Sequence, residues 1–560
     1  MFRTKYSDGV KNAREAQKPV AELPPFDPER LRSKGLLAGL LSRVLENPRG
    51  WLALLRRFWP TVVIGRIALV TKAADVRDIL ERQEFETPFG RDMAEMAGGV
   101  NFILGMQDGS DYRRMKSVIL SAFPPVEVEA RVRPIARLHS RALARTAMPG
   151  FNAIELLKIV PVRICRDYFG LAFDNDEEFA DWSIALSSQL FFNPFEKAAT
   201  RELASVAAYR MRDVINQSIE TVLAGSKTDK PLARLVAIHE AGRLSLDDIR
   251  SIMMGMVSSF APTNLLAGGN ALDVVLNRTD ARKAVQDAID SGNDAALDKA
   301  ILEAMRFKPI YLGPLRYVAR DAVIASGTRR EKTLRAGTIV IPSILSAMFD
   351  KDAVIDPERF DTSRPGRDYL LYGHGLHLCI GAEVARVQIA ESFRALFAKA
   401  GLQRAAGSIG RLTRRGTYPE RLCVEFDVAD AWKTSLDLSQ YDPSISSLCE
   451  LIIRFLIARS STHSDRISLS RLCGITGKRA PDVDLMTAIT ILTQSRQPVL
   501  SVAYYSIDKY GRFEKVNRKD INTESFIDDI DKQPLMFKDT FPIFYASDEF
   551  RKVNIGVKRT

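Results

Sequence analysis

The sequence has few of the residues that staple small folds or gather metal ions: five cysteines and five histidines in 560 residues. Five thiols in so long a chain do not make a disulfide framework. Cys165, Cys423, Cys449 and Cys473 have no metal-ligand spacing. A reducing, cytoplasmic setting is expected for such a chain. No apolar run approaches the roughly 20 residues of a membrane span. The charges at Arg3, Lys5 and Asp8 have no apolar stretch behind them, which argues against a secretory signal. No internal repeat is present. No Gly-x-Gly-x-x-Gly follows a strand-like run, so no nicotinamide or flavin domain is expected, and the C-terminal part is not expected to be a reductase.

What is present describes a folded, multidomain protein. Hydrophobic residues make up 46% and charged residues 27%, a globular profile, and the length exceeds one ordinary core. The net charge of +11 fits a basic surface that docks an acidic protein or an anionic membrane, or simply a solvated surface with surplus arginine. Residues 31–58 (LRSKGLLAGLLSRVLENPRGWLALLRRF) hold two apolar helical segments interleaved with arginine. They suit a membrane surface or packing against the domain.

Residues 61–82 read as two short strands, a turn at Gly65-Arg66 and a helix opening near Ala73. Amphipathic runs over 111–146, 153–171, 176–192, 196–224 and 247–277 make the first part mostly helical. Short strands return over 315–341, with turns at Gly327 and Gly337. A helix follows over 382–400, then a β-like tail to about 427. Residues 428–445 read as a linker. Beyond it come three helical runs and an alternating segment around a turn at Asp508–Gly511, as in a β-hairpin. Three helices and a hairpin resemble a winged-helix module. Acids nearly balance bases there, so nucleic-acid binding is not supported.

The chemistry concentrates in YGHGLHLCIGAEVAR, residues 372–386. Cys379 lies between Gly375 and Gly381 and directly precedes a helix. An iron-binding thiolate needs donors to hold its charge, and a helix N-terminus offers unpaired N–H groups. The glycines let the backbone turn close to a large flat cofactor. His377 is placed to reach an anionic group. A buried structural cysteine in a Gly-rich turn would look the same in isolation.

The segment resembles the haem-binding loop of the cytochrome P450 family, with Tyr372 in a slot usually held by Phe. Two further motifs strengthen the resemblance. Glu303 and Arg306 stand one helical turn apart, with Pro309 after them, and resemble the family's Glu-x-x-Arg helix. Asp356-Pro357-Glu358-Arg359-Phe360 resembles its Pro-Glu-Arg-Phe segment. By resemblance Arg359 joins Glu303 and Arg306 in a buried charge network. Arg316 matches an arginine that contacts a haem propionate, and Tyr112 and Lys116 match positions that donate to propionates. The implied cofactor is haem b (iron protoporphyrin IX), with Cys379 its iron ligand. The implied fold is mainly α with small β-sheets over residues 1–427, including an N-terminal arm of about 1–40. A small α+β domain of unassigned function follows over 446–560.

The long helix expected to cross the haem departs from the family. Monooxygenases of this type carry an acid and then an alcohol, a pair that delivers protons during dioxygen activation. The register places Pro262 in the acid's position, Thr263 next and Asn264 in the alcohol's position. A slip of one places Thr263 in the alcohol's position. The acid is missing either way. Pro262 lacks an N–H, which predicts a kink. Three readings follow: a monooxygenase acting on a lipophilic organic substrate with a separate electron-transfer partner, a reductase-independent fatty-acid hydroperoxide isomerase or dehydratase, and a non-catalytic haem sensor. His139, His239 and His463 are isolated and expected to be satisfied or solvent-facing. His374 is a candidate to support the haem-binding loop.

Overall fold

The computed structural model describes residues 24–32, 48–145, 147, 149–194, 196–225, 228–426, 438, 441–459, 467–478, 482–494, 498–507, 513–516 and 540–547. Most of the N-terminal arm, most of the 428–445 linker, the hairpin turn at 508–511 and His463 lie outside them. The chain forms two compact units: one of residues 1–142, 152–398 and 406–423, the other of 143–151, 399–405 and 424–560.

The larger unit is mostly helical. In chain order it includes α1 (Arg49–Phe58), α2 (Ala73–Glu81), α3 (Gly90–Ala97), α4 (Ser110–Ala122), α5 (Asp176–Phe192), α6 (Ala198–Leu223), α7 (Leu246–Asn277), α8 (Asp294–Phe307) and α9 (Ala382–Phe397). The apolar run expected over 111–146 is not one element. It breaks at Pro124-Pro125, which cannot continue a helix, and resumes as a helix over Arg133–Arg145.

Helix α7 is the central beam. Its start is fixed by a capping box, in which the Ser245 side chain accepts from the Asp248 N–H and the Asp248 carboxylate accepts from the Ser245 N–H. It then runs 32 residues, continuing through Pro262, and most of its side chains are buried. A helix apolar on every side belongs inside a protein. Gly255 shows how tightly it is packed: a Cβ there would come within 2.4 Å of the Phe102 ring.

A five-stranded sheet stands beside the helices, built from β1 (Thr61–Ile64), β2 (Ile67–Val70), β3 (Phe85–Glu86), β4 (Arg316–Val318) and β5 (Ile339–Pro342). The strand order is β1-β2-β5-β4-β3. Only β2 and β5 run parallel; the other pairs are antiparallel. Arg316 sits opposite Val340 in this sheet and is buried.

The smaller unit contains α10 (Pro443–Arg459), β6 (Ile467–Ser468), α11 (Leu469–Thr476), α12 (Val483–Gln494), β7 (Leu500–Ile507), β8 (Phe513–Val516) and β9 (Thr540–Ala546). The strands form an antiparallel sheet in the order β6-β9-β7-β8. Its core includes Leu448, Ile452, Leu472, Leu485, Leu492 and Phe544. Three helices, with a short strand after the first and a sheet at the end, give this unit its α+β character. Among the described residues no helix is long and apolar enough to cross a membrane.

Candidate active site

Cys379 sits in the loop leading into α9. Its N–H donates to the Tyr372 carbonyl at 2.9 Å, which closes the loop over the residues between them. Gly375 makes that closure possible. Its φ is +69°, and a Cβ would press within 2.8 Å of the Leu80 carbonyl oxygen. The Cys379 side chain is accessible, and it opens onto a cavity that it lines. Protein encloses the sulfur on its other sides and pushes the thiol up, while the Gly381 N–H pulls it back down. That N–H belongs to the N-cap of α9 and is the kind of donor a thiolate needs.

One side of this cavity is cationic. Arg316 is buried, and its Nη1 donates to the Leu315 carbonyl at 2.9 Å. Among the described residues it has no carboxylate partner, and burial lowers it to about 10. His377 is lowered to about 4 by burial first, then by Arg316 and Lys116. The His377 ring meets Tyr112 edge-on at 5.6 Å, and the Lys116 ammonium lies 5.4 Å from the centre of the Tyr112 ring. The Tyr112 hydroxyl donates to the Leu376 carbonyl at 2.5 Å, so its proton is already committed. Two cations, Arg316 and Lys116, beside a neutral His377 imidazole that can donate a hydrogen bond, fit a ligand that brings its own carboxylates.

The opposite wall is formed by α7 and phenylalanines. Gly255, Met256, Ser259, Phe260, Thr263, Asn264 and Ala267 line the cavity, a stripe at helical spacing. Phe89, Phe102, Phe169 and Phe191 complete the apolar part. Pro262 is buried but falls off the stripe and does not line the cavity, which removes it from direct chemistry. The Thr263 hydroxyl donates back to the Ser259 and Phe260 carbonyls. Asn264 Nδ2 and Ser259 Oγ are buried without a hydrogen-bond partner, a costly state unless a ligand meets them. None of the described cavity-lining residues is Asp or Glu.

Behind the cavity lies a buried charge network. Arg306 donates to both oxygens of Glu303 at 2.9 and 2.8 Å, and both residues are wholly buried. The next guanidinium in this network is Arg364, not Arg359. Arg364 Nε donates to Glu303 at 3.1 Å and its other nitrogens reach the Ile355, Asp356 and Arg359 carbonyls. Arg359 contributes only that carbonyl, which also accepts from Arg306 at 3.3 Å, while its side chain is exposed. The cause is local. Asp356 takes a left-handed φ of 42°, and the turn places Pro357 and Phe360 inside and Arg359 outside. The Tyr369 hydroxyl and the Asp361 N–H also donate to Glu303, each at 3.0 Å.

Several site residues escape sequence reading. Ser259 could have been found from Thr263, one helical turn away on the same stripe. Tyr311 lines the cavity and is pushed up to about 12 by burial and Cys379, against the pull of Arg316. Its signal was its place in the loop leading to Arg316. Tyr372, by contrast, was named from the sequence; it lines the cavity, and burial together with Cys379 pushes its phenol far up. His139 pairs with Asp167, His239 with the Leu244 carbonyl and His374 with Glu81, so each is locally satisfied.

The family model for cytochrome P450 matches residues 291–397. That span holds both the Glu303–Arg306 pair and Cys379. The chain belongs to the cytochrome P450 family. Erythromycin C-12 hydroxylase of Saccharopolyspora erythraea is 29% identical over 353 residues, covering 59% of this chain and 81% of the relative. Mycinamicin IV hydroxylase/epoxidase of Micromonospora griseorubida is 26% identical over 335 residues, covering 57% and 79%. Among solved structures, ligand-free cytochrome P450 TbtJ1 superimposes with a TM-score of 0.58 at 24% identity, covering 68% of this chain and 97% of that one. CalO2 gives 0.59 at 21% identity, covering 69% and 97%. This P450 is a haem-thiolate oxidoreductase, and its cofactor is haem b. The open sulfur, the acid-free cationic wall and the unpartnered Asn264 amide fit that group. Cys379 would hold the iron, and Arg316, His377 and Lys116 would face the propionates.

Proposed function

We propose that the P450 unit inserts one oxygen atom of dioxygen into a lipophilic organic substrate, using electrons from a separate protein in the cytoplasm. The observation that carries this reading is one cavity that joins an accessible cysteine at a helix N-terminus to a phenylalanine-rich wall. Bound haem would supply the oxidation chemistry. The chain's own work is to hold the cofactor by Cys379 and the cationic wall, and to exclude water with Phe89, Phe102, Phe169, Phe191 and Phe260. Asn264 offers an amide N–H where the family's alcohol is expected. Relatives that carry out hydroxylation and epoxidation support the class of reaction. The test is turnover of an apolar substrate with NADPH and a surrogate reductase system, with products analysed for inserted oxygen. Oxygenated product that depends on electrons is expected.

A second reading, rearrangement of a lipid hydroperoxide without a reductase, draws support from the missing acid and from Asn264. A carboxamide can orient a peroxide oxygen without readily protonating it. Consumption of a fatty-acid hydroperoxide with no reductant, together with inertness toward other substrates when electrons are supplied, would establish this reading and displace the first.

A further inference from the structure

Helix α1 is amphipathic in the wrong sense for a surface helix. Its arginines Arg49 and Arg56 turn inward. Arg49 lies 5.2 Å from the centres of the Phe307 and Phe349 rings and bonds Glu358 at 3.1 Å. Arg56 donates to the Ser346 carbonyl and hydroxyl at 3.0 and 2.9 Å and pairs with Asp350. Leu52 anchors the same side and is fully buried. The large apolar residues that face outward, beside exposed Arg57, are Leu54, Phe58 and, just past the helix, Trp59, which are 59%, 57% and 65% exposed. At the nearby tip of the β1–β2 hairpin, Ile64 is 75% exposed. Single exposed apolar side chains need no explanation, but four large ones within eleven residues do.

The chain that builds this face carries charge of one sign, and the acids that meet α1, Glu358 and Asp350, come from elsewhere in the sequence. From Asn47 to Ala74 the sequence contains no Asp or Glu. Arg57 and Arg66 are exposed and, among the described residues, lack a carboxylate partner. Arg57 lies 5.2 Å from the centre of the Phe58 ring. The sequence just before the helix adds Leu36, Leu37, Leu40, Leu41, Val44 and Leu45 at helical spacing, with Arg32, Lys34 and Arg43 among them. Tryptophan, phenylalanine and leucine rimmed by unpaired arginines match the composition of segments that lie in a lipid headgroup layer.

We propose that α1 and the β1–β2 tip form a docking face for an anionic lipid bilayer, which holds the protein peripherally without a span. Leu54, Phe58, Trp59 and Ile64 enter the acyl boundary, while Arg57 and Arg66 meet lipid phosphates. The attraction is partly electrostatic, so it weakens as salt rises.

The test uses the full-length, haem-loaded protein, floated with vesicles of phosphatidylcholine with and without phosphatidylglycerol. Wild type is expected to float with the phosphatidylglycerol vesicles, and less so in high salt. A Leu54→Ser/Phe58→Ser/Trp59→Ser variant should lose at least roughly tenfold in partitioning, the scale of removing buried apolar side chains. Its haem content should be unchanged, because none of the three lines the cavity. Arg57→Glu/Arg66→Glu should lower binding only to the anionic vesicles, which keeps the test decisive if the triple variant folds poorly. Three results would overturn the proposal. One is a wild type that ignores vesicles, as expected if residues 33–47 cover this face. Another is a concentration-dependent dimer broken by Phe58→Ser, with no lipid binding. The last is equal vesicle binding by wild type and both variants.

Discussion

At the residue scale, the account depends on which polar groups lack partners. Arg316 is buried without an acid, so it holds a place for a ligand's negative charge. Arg316→Leu should therefore weaken haem retention, read as faster haem transfer to apomyoglobin. Unchanged transfer would show that Arg316 does not meet the cofactor. Asn264 and Thr263 share the cavity wall, but only the asparagine has a free donor. Asn264→Ala should slow turnover by roughly tenfold to a hundredfold, the scale of one positioned polar group, while Thr263→Val should matter less. Equal effects would mean that the Thr263 hydroxyl leaves its carbonyls during the reaction. The charge network behind the cavity separates two arginines sharply. Arg364→Ala leaves buried Glu303 short of one partner and should cost on the order of 3 kcal/mol of stability in denaturant melts. Arg359→Ala changes an exposed side chain and should stay within about 0.5 kcal/mol.

At the element scale, the loop before α9 was the easiest part to read from sequence, because its function lies in consecutive residues. Cys379, His377 and the glycines are close in space because they are close in the chain. Arg359 was misread for the opposite reason. Which side chain of 356–364 turns inward depends on the left-handed turn at Asp356, and no periodicity reports that. The face of α7 followed from a 3.6-residue period, yet the lining stripe leaves Pro262 aside, which the register alone did not reveal. Another network ties α9 to the helix over Arg133–Arg145. Buried Glu391 accepts from Arg133 and Arg137, and Glu129 bonds Arg133 and Arg386. The Arg133 hydrogen bond leads in holding the Glu129 carboxyl at about 2, below its ordinary 4.5. The folded state therefore binds this proton less readily than the unfolded chain. The contribution is complete above about pH 4.5 and is lost as pH falls toward 2. Glu129→Gln should flatten the fall in stability across that window, measured by urea melts at stepped pH. An unchanged slope would show that the ion pair does not hold in solution.

At the scale of the whole molecule, the order of elements was legible because long helical runs and short turn-bounded strands carry different periods. The smaller unit's helices and its β7–β8 hairpin were legible too, whereas the pairings of β9 with β6 and β7 join segments farther apart in sequence and could not be read. Truncation after residue 427 is expected to leave a haem-loaded fragment, because the described residues that line the cavity all lie before that point. Loss of haem from that fragment would show that the smaller unit supports the cavity. The central claim, however, is that one sulfur makes this chain a haem-thiolate enzyme. The direct measurement is the ferrous carbon monoxide spectrum of the full-length protein beside Cys379→Ala, both loaded with haem. The account predicts the red-shifted Soret band of thiolate ligation in the wild type and its absence in the variant. A variant that keeps that band would contradict it.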